Sequence, residues 1–170
     1  MDWIKGKFRA PNESGGFHGI LKEWWEKYSV KNLVLLVTEP KNVAKKLSEE
    51  YGWDCRTLNM FGDNSDYNTD ICGDISWIKE RFGLIICQTT LEHVYDPYGA
   101  MRNMTSLLEP NGIILIHTHN MKMPIHRHPR DYFRFIIDWF QDIAIKLGIE
   151  VLEIHEESEH FFAAYKKTIV

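Results

Sequence analysis

Apolar positions along the chain change their spacing several times, and each change marks an expected element. In "FHGILKEWWEKY", Phe17, Ile20, Leu21, Trp24 and Tyr28 recur at spacings of three and four, which predicts a helix with an aromatic, core-facing stripe. "NLVLLV" shows no alternation, as expected of a strand covered on both faces. Pro40 then stands where the first turn of a helix tolerates it, and Val43, Ala44, Leu47 and Tyr51 form that helix's buried stripe. "DCRTLNM" predicts a second strand, the polar "FGDNSDYNT" a loop, and "DICGDI" a short third strand with its exit turn. "FGLIICQTT" is the next strand. Asp96 and Pro97 then fit the N-cap and first position of a helix whose Met101, Met104 and Leu108 point one way. "EPNGIILIH" reads as a turn and a further apolar strand. A loop, "THNMKMPIHRHPR", leads to a helix in "DYFRFIIDWFQDIAIKLG", with Ile136, Phe140, Ile143 and Leu147 inward and Gly148 as its stop. "IEVLEIHEES" and "EHFFAAYKKT" close the chain as a hairpin.

Strands alternating with helices imply a mainly parallel sheet with right-handed crossovers, an α/β fold in three αβα layers. The C-terminal hairpin would be antiparallel, and the fold is shortened between its second and third strands. One domain over residues 1–170 is expected, with 1–16 as an N-terminal arm set off by "PNESGG". Such sheets bind ligands at the carboxyl ends of their strands, so the turns after residues 37, 59, 74, 88 and 117 should surround one crevice.

Charge and cysteine usage narrow the partners. A net charge of −4 over 170 residues speaks against a nucleic-acid phosphate footprint. "LVLLV" and "GIILI" are too short to cross a bilayer, and "MDWIKGKFRAPNESGG" has no apolar core of a signal peptide. Cys55, Cys72 and Cys87 form no CxxC pair, which fits buried, reduced thiols. A cytoplasmic protein acting on a small molecule, with neither nucleic acid nor membrane as partner, is the expectation.

"GLIICQTTLEHVYDPYGAMRNMTSLLEPNGIILIHTHN" resembles class I S-adenosylmethionine-dependent methyltransferases, in the type 11-like branch whose chains read strand, LEHV, DP, helix, L-P-G, strand. "HPRDYFRF" is similar to a later stretch of that branch, with Phe133 where a Trp is usual, and with "DICGDI" the likeness spans roughly residues 30 to 155. The resemblance implies a Rossmann-like domain, S-adenosyl-L-methionine as cofactor, and a small hydroxylated or sugar-like acceptor. It implies Asn59 near the ribose hydroxyls, where an acid is common. Asp74 would stand at the adenine amino group with Ile75 beside the ring, and Gln88 and Thr89, after Cys87, beneath the methionine portion. Thr38 and Glu39 would line the first turn. Asp74 can equally cap a helix over "ISWIKERF", and Glu92 and His93 can simply order the loop before Asp96.

The first turn departs from the family's Gly-x-Gly-x-Gly. Val37, Thr38, Glu39, Pro40 and Lys41 bring side-chain bulk, and Pro40 removes a backbone donor. Against that, Glu39 offers a carboxylate to a cofactor that is cationic at sulfur and carries an ammonium group. A non-catalytic relative that binds a partner or another small ligand is the alternative. A nicotinamide enzyme would need a GxGxxG turn that is equally missing.

On the acceptor side, Asp131, Tyr132 and Arg134 of "HPRDYFRF" form a set able to grip an anionic or hydroxyl-rich molecule, with Arg134 as a fork. Asp131 capping a helix and pairing with Arg134 is the competing account. His93 and His128 are the candidate bases, being near neutral pKa. His117, His119, His126 and His128 lie close in sequence, yet no local carboxylate or cysteine completes a familiar metal set, so no metal is expected.

Overall fold

A computed structural model describes residues 17–28, 33–61, 64–127 and 130–168. The proposed N-terminal arm, residues 1–16, lies outside them. Ten helices and strands follow in order: α1 (Gly19–Tyr28), β1 (Val34–Val37), α2 (Lys41–Tyr51), β2 (Cys55–Leu58), β3 (Phe82–Gln88), α3 (Pro97–Leu107), β4 (Leu108–His119), α4 (Ile137–Leu147), β5 (Ile149–Glu157) and β6 (His160–Lys167), with a short 3-10 turn at Leu91–His93.

The strands form one sheet in the order β2-β1-β3-β4-β6-β5. β1 pairs parallel to β2 and β3, and β3 parallel to β4. β6 runs antiparallel to β4 and β5. This is the Rossmann-like mixed sheet that the alternating pattern predicts.

Strand periodicity splits the core in two. Val34, Leu36, Leu84, Ile86, Ile113, Leu115, Phe162 and Ala164 face α1 and α2, packing on Leu21, Trp24, Trp25, Val43, Ala44 and Leu47. Their chain neighbours Leu35, Val37, Ile85, Ile114, Ile116, Phe161 and Tyr165 face α3 and α4, packing on Met101, Met104, Phe140 and Ile143. Phe140 and Phe161 stack across that second layer at 4.4 Å, and the Tyr165 hydroxyl donates to the Phe140 carbonyl at 3.0 Å.

Four expectations are corrected. "DICGDI" forms turns rather than a third strand, and what remains of the strand is one parallel bridge, Leu58 to Tyr67. "ISWIKERF" is not helical; a turn at 76–77 runs into an extended connection to β3. The last helix starts at Ile137 instead of near Asp131, because the Tyr132 amide donates to the Glu92 carbonyl and the Phe135 amide to that of His119. That segment is held as a strap across the sheet end, and Ile136, expected inward, is exposed. Leu108 is buried as expected but opens β4 instead of extending α3. Gly148 ends α4 in the left-handed conformation that favours glycine, φ 63°.

The start of α3 makes a local prediction. Asp96 Oδ1 accepts from the Gly99 amide at 2.9 Å, and a Cβ on Gly99 would lie 2.2 Å from Asp96 Oδ2. Gly99→Ala therefore displaces the cap and should cost about 0.5–2 kcal/mol, read from the urea midpoint.

Candidate functional site

The carboxyl ends of β1, β2, β3 and β4 meet at one rim, where two residues other than glycine take positive φ: Thr38 at 66° and Thr89 at 45°. The left-handed geometry of a glycine turn is thus kept by threonine, at a cost on the order of 1–3 kcal/mol each. Neighbours hold both in place. The Thr38 amide donates to Leu58 O at 2.6 Å, and its hydroxyl shares a hydrogen bond with Thr90 Oγ1 at 2.6 Å. The Thr89 amide donates to His117 O at 2.7 Å.

Glu39 follows Thr38 and is only 7% exposed. Burial pushes its carboxyl up to about 7, and no hydrogen bond to it is found among the described residues. Its charge reaches Cys87 on β3, the strand beside β1. Lys41, by contrast, is engaged by Asp66 at 3.2 Å. The sequence leaves the charge of this turn undecided. The fold resolves it as one desolvated carboxylate with no ion pair to it among the described residues.

Asn59 is at the same rim, but its side chain is occupied. Nδ2 donates to Thr38 O at 3.1 Å and Oδ1 accepts from the Phe61 amide at 2.9 Å, stapling the first turn to the second. Gln88 Oε1 accepts from the His18 amide at 3.0 Å and lies 3.4 Å from His117 Nδ1.

Asp74 does not join this group. It is exposed, accepts from the Ser76 amide at 2.9 Å, and lines an open depression with Cys72, Arg102, Asn103 and Ser106 against α3. Asn103 Nδ2 pins that segment by donating to the Ile71 and Gly73 carbonyls at 2.7 and 2.8 Å. Ile75 is buried in the α3 and α4 layer of the core.

Over the end of β4 lies the acceptor side. Glu92 is fully buried; its Oε2 accepts from Thr118 Oγ1 at 2.7 Å, and its Oε1 stands 3.2 Å from His119 Nε2 and 3.9 Å from His93 Nε2. Burial raises its carboxyl to about 7. Sequence reasoning left Glu92 open between ordering the loop and a functional role. Its environment is set by Thr118 and His119, which only folding brings near. His93 Nδ1 lies against the Arg130 carbonyl, which can only accept, so Nδ1 carries the proton and Nε2 is the basic nitrogen. His128 lies outside the described residues. Burial, reinforced by neighbouring imidazoles, lowers His117 to about 2 and His119 to about 4.

Arg134 is not available as an acceptor fork. Its Nε donates to Met123 O at 2.9 Å, Nη1 to Asp131 Oδ1 at 2.5 Å and Phe133 O at 2.7 Å, and Nη2 to Asp131 Oδ2 at 2.6 Å and Pro124 O at 2.7 Å. Every N–H of the guanidinium has a partner within the strap. Asp131 also accepts from the His126 amide at 2.6 Å. These two side chains hold the strap, whereas Tyr132 is exposed and meets the exposed Tyr95 edge-on at 6.1 Å.

A family model described as a methyltransferase domain matches residues 13–147. The ubiquinone biosynthesis O-methyltransferase of Actinobacillus pleuropneumoniae serotype 5b (strain L20) is 32% identical over 85 residues, which cover 50% of this chain and 34% of that protein. Its counterpart from Aeromonas salmonicida (strain A449) is 27% identical over 99 residues, 58% of this chain and 35% of that one. The chain thus spans about a third of the length of these curated relatives. Among solved structures, the 1,6-didemethyltoxoflavin-N1-methyltransferase of Burkholderia thailandensis, with bound 1,6-didemethyltoxoflavin and S-adenosylhomocysteine, superposes with a TM-score of 0.69 at 12% identity, covering 87% of this chain and 76% of that one. A SAM-dependent methyltransferase from Archaeoglobus fulgidus gives 0.63 at 14% identity, covering 89% and 95%. At these identities the likeness is one of fold.

Proposed function

Since this chain belongs to the methyltransferase-domain family, we propose that it transfers a methyl group from S-adenosyl-L-methionine to a hydroxyl of a small acceptor. The observation that carries the reading is Glu39, a buried rim carboxylate with no ion pair among the described residues, because a desolvated charge of that kind is costly until an opposite charge arrives. The cofactor, when bound, supplies an electrophilic methyl on a cationic sulfur together with an ammonium group. Glu39 would meet that positive charge. Thr38, Gln88 and Thr89 would border the methionine portion, where positive φ keeps the Thr38 and Thr89 backbones turned as glycines would be.

On the acceptor side, alignment is the main contribution, since in-line attack gains most from holding the nucleophile in place. Tyr132 and Tyr95 offer an exposed aromatic wall, and His93 Nε2 is the base for a hydroxyl proton. The curated relatives named above are O-methyltransferases, which supports a hydroxyl as the target.

A non-catalytic role is favoured by a different observation. Asn59 is tied into the two turns it would leave open for a ribose, and Asp74 lines a depression with Arg102, Asn103 and Ser106 of α3. Methyl-labelled S-adenosyl-L-methionine, incubated with a panel of small phenols and polyols, separates the two. Transfer is expected for the wild type, falling about 10²–10⁴-fold in His93→Gln. Absence of transfer to every acceptor contradicts the enzymatic reading.

A further inference from the structure

The pleat of β4 puts His117 and His119 on the face that packs against α1, and antiparallel pairing sets His160 of β6 directly opposite His119. One ring nitrogen of each of the three lies within 4.8 Å of the other two. We propose that His117, His119 and His160 bind a divalent transition metal, with zinc the best fit, and leave a fourth position open to water or a ligand.

Distances suit the proposal. His117 Nε2 and His160 Nδ1 are 3.0 Å apart, and two nitrogens on a tetrahedral zinc at its usual bond length would be about 3.3 Å apart. One ligand is hydrogen-bonded from behind as metal-ligating imidazoles usually are, His117 through Gln88, and a carboxylate stands behind a second, His119. Gln88 Oε1 lies 3.4 Å from His117 Nδ1, and Glu92 Oε1 lies 3.2 Å from His119 Nε2. That arrangement leaves His119 Nδ1 buried with no hydrogen-bond partner, in a residue only 4% exposed. An orphaned buried nitrogen is uncommon in a folded protein, and a cation at the centre of the trio satisfies it. All three donors are imidazoles, which suits zinc, copper or nickel rather than magnesium or calcium. His160 is the least buried of the three and marks the way in. The sequence reading missed the site because its third ligand lies 41 residues beyond His119 and arrives through strand pairing.

A second trio, Glu92, His93 and His126, also converges, so the test must tell them apart. Tag-free protein stripped with a chelator is titrated with Co(II), read by its visible absorption, and then with Zn(II). One equivalent per chain is expected, with the intense bands of four-coordinate cobalt and their loss on adding zinc. Zinc should raise the Tm of the wild type. His160→Ala should weaken binding by more than the roughly 10–100-fold that losing an outer partner costs, and abolish the thermal shift; Gln88→Ala should fall within that range. His126→Ala should bind as the wild type does. Should His160→Ala fail to fold by circular dichroism, Gln88→Ala carries the test. No stoichiometric binding, or binding that survives in a folded His160→Ala, overturns the proposal. So does binding lost in His126→Ala, or unchanged in Gln88→Ala.

Discussion

Replacing Glu39 by glutamine should make the ligand-free protein more stable at alkaline pH while weakening its grip on a cationic cofactor. The carboxyl titrates near 4.5 when exposed and at about 7 in the fold, where burial disfavours its charge. Between those values the unfolded chain has released this proton and the folded chain keeps it, so stability falls as pH rises from 4.5 to 7 and levels off above. The interval corresponds to about 3 kcal/mol. Near pH 4 the two proteins should unfold at similar urea concentrations, and at pH 8 the variant should be the more stable by up to that amount. Glu92 is raised for the same reason and adds pH dependence of the same sign, but it is common to both proteins and drops out of the difference. A variant no more stable at pH 8 would mean that Glu39 already has a partner.

Arg134→Ala should be the most damaging change in the strap, at about 3 kcal/mol. It removes the fork on Asp131 and leaves a carboxylate, 2% exposed, without its counter-charge. Arg134→Lys should not restore the loss, because an ammonium cannot replace the bonds to Met123, Pro124 and Asp131 at once. Burial opposes ionisation of Asp131, but the Arg134 hydrogen bonds and charge and the His126 amide outweigh it and hold the carboxyl at about 2. The contribution is therefore complete above about pH 4 and disappears as pH falls through 2. Urea unfolding at pH 7 and pH 3 checks both size and direction, and faster hydrogen exchange at Tyr132 and Phe135 would localise the damage.

What the sequence made legible was whatever depends on local pattern. β1, β3 and β4 are apolar on both faces and are found where expected. The Asp96 cap and the Gly148 stop also need only their neighbours. The missing third strand shows the limit. "DICGDI" has the composition of a strand, yet among the described residues of the connection from β2 it is Tyr67 alone that pairs, and Asn103 draws the segment onto α3. Asp74 was matched by the family pattern to the adenine position, whereas its contacts with the Ser76 amide and its place in a depression against α3 belong to the fold. Arg134 looked available for a substrate because a single sequence does not reveal that Met123 and Pro124 carbonyls will face it. Glu92 stayed undecided and His160 went unnoticed because each acquires its surroundings across strands, from Thr118 and His119. The first turn divides the same way. Its lack of glycine is plain in the letters, whereas the positive φ of Thr38 and the burial of the Glu39 carboxylate belong to the fold.

The central claim is that a turn built from Thr38, Glu39 and Pro40 still receives a sulfonium cofactor. Calorimetric titration of the wild type with S-adenosyl-L-methionine at pH 8 tests it most directly. One saturable site is predicted, displaced by S-adenosylhomocysteine, weaker as pH falls through about 7, and weaker by about 10–100-fold in Glu39→Gln. A folded wild type that shows no saturable heat up to millimolar ligand would contradict the claim.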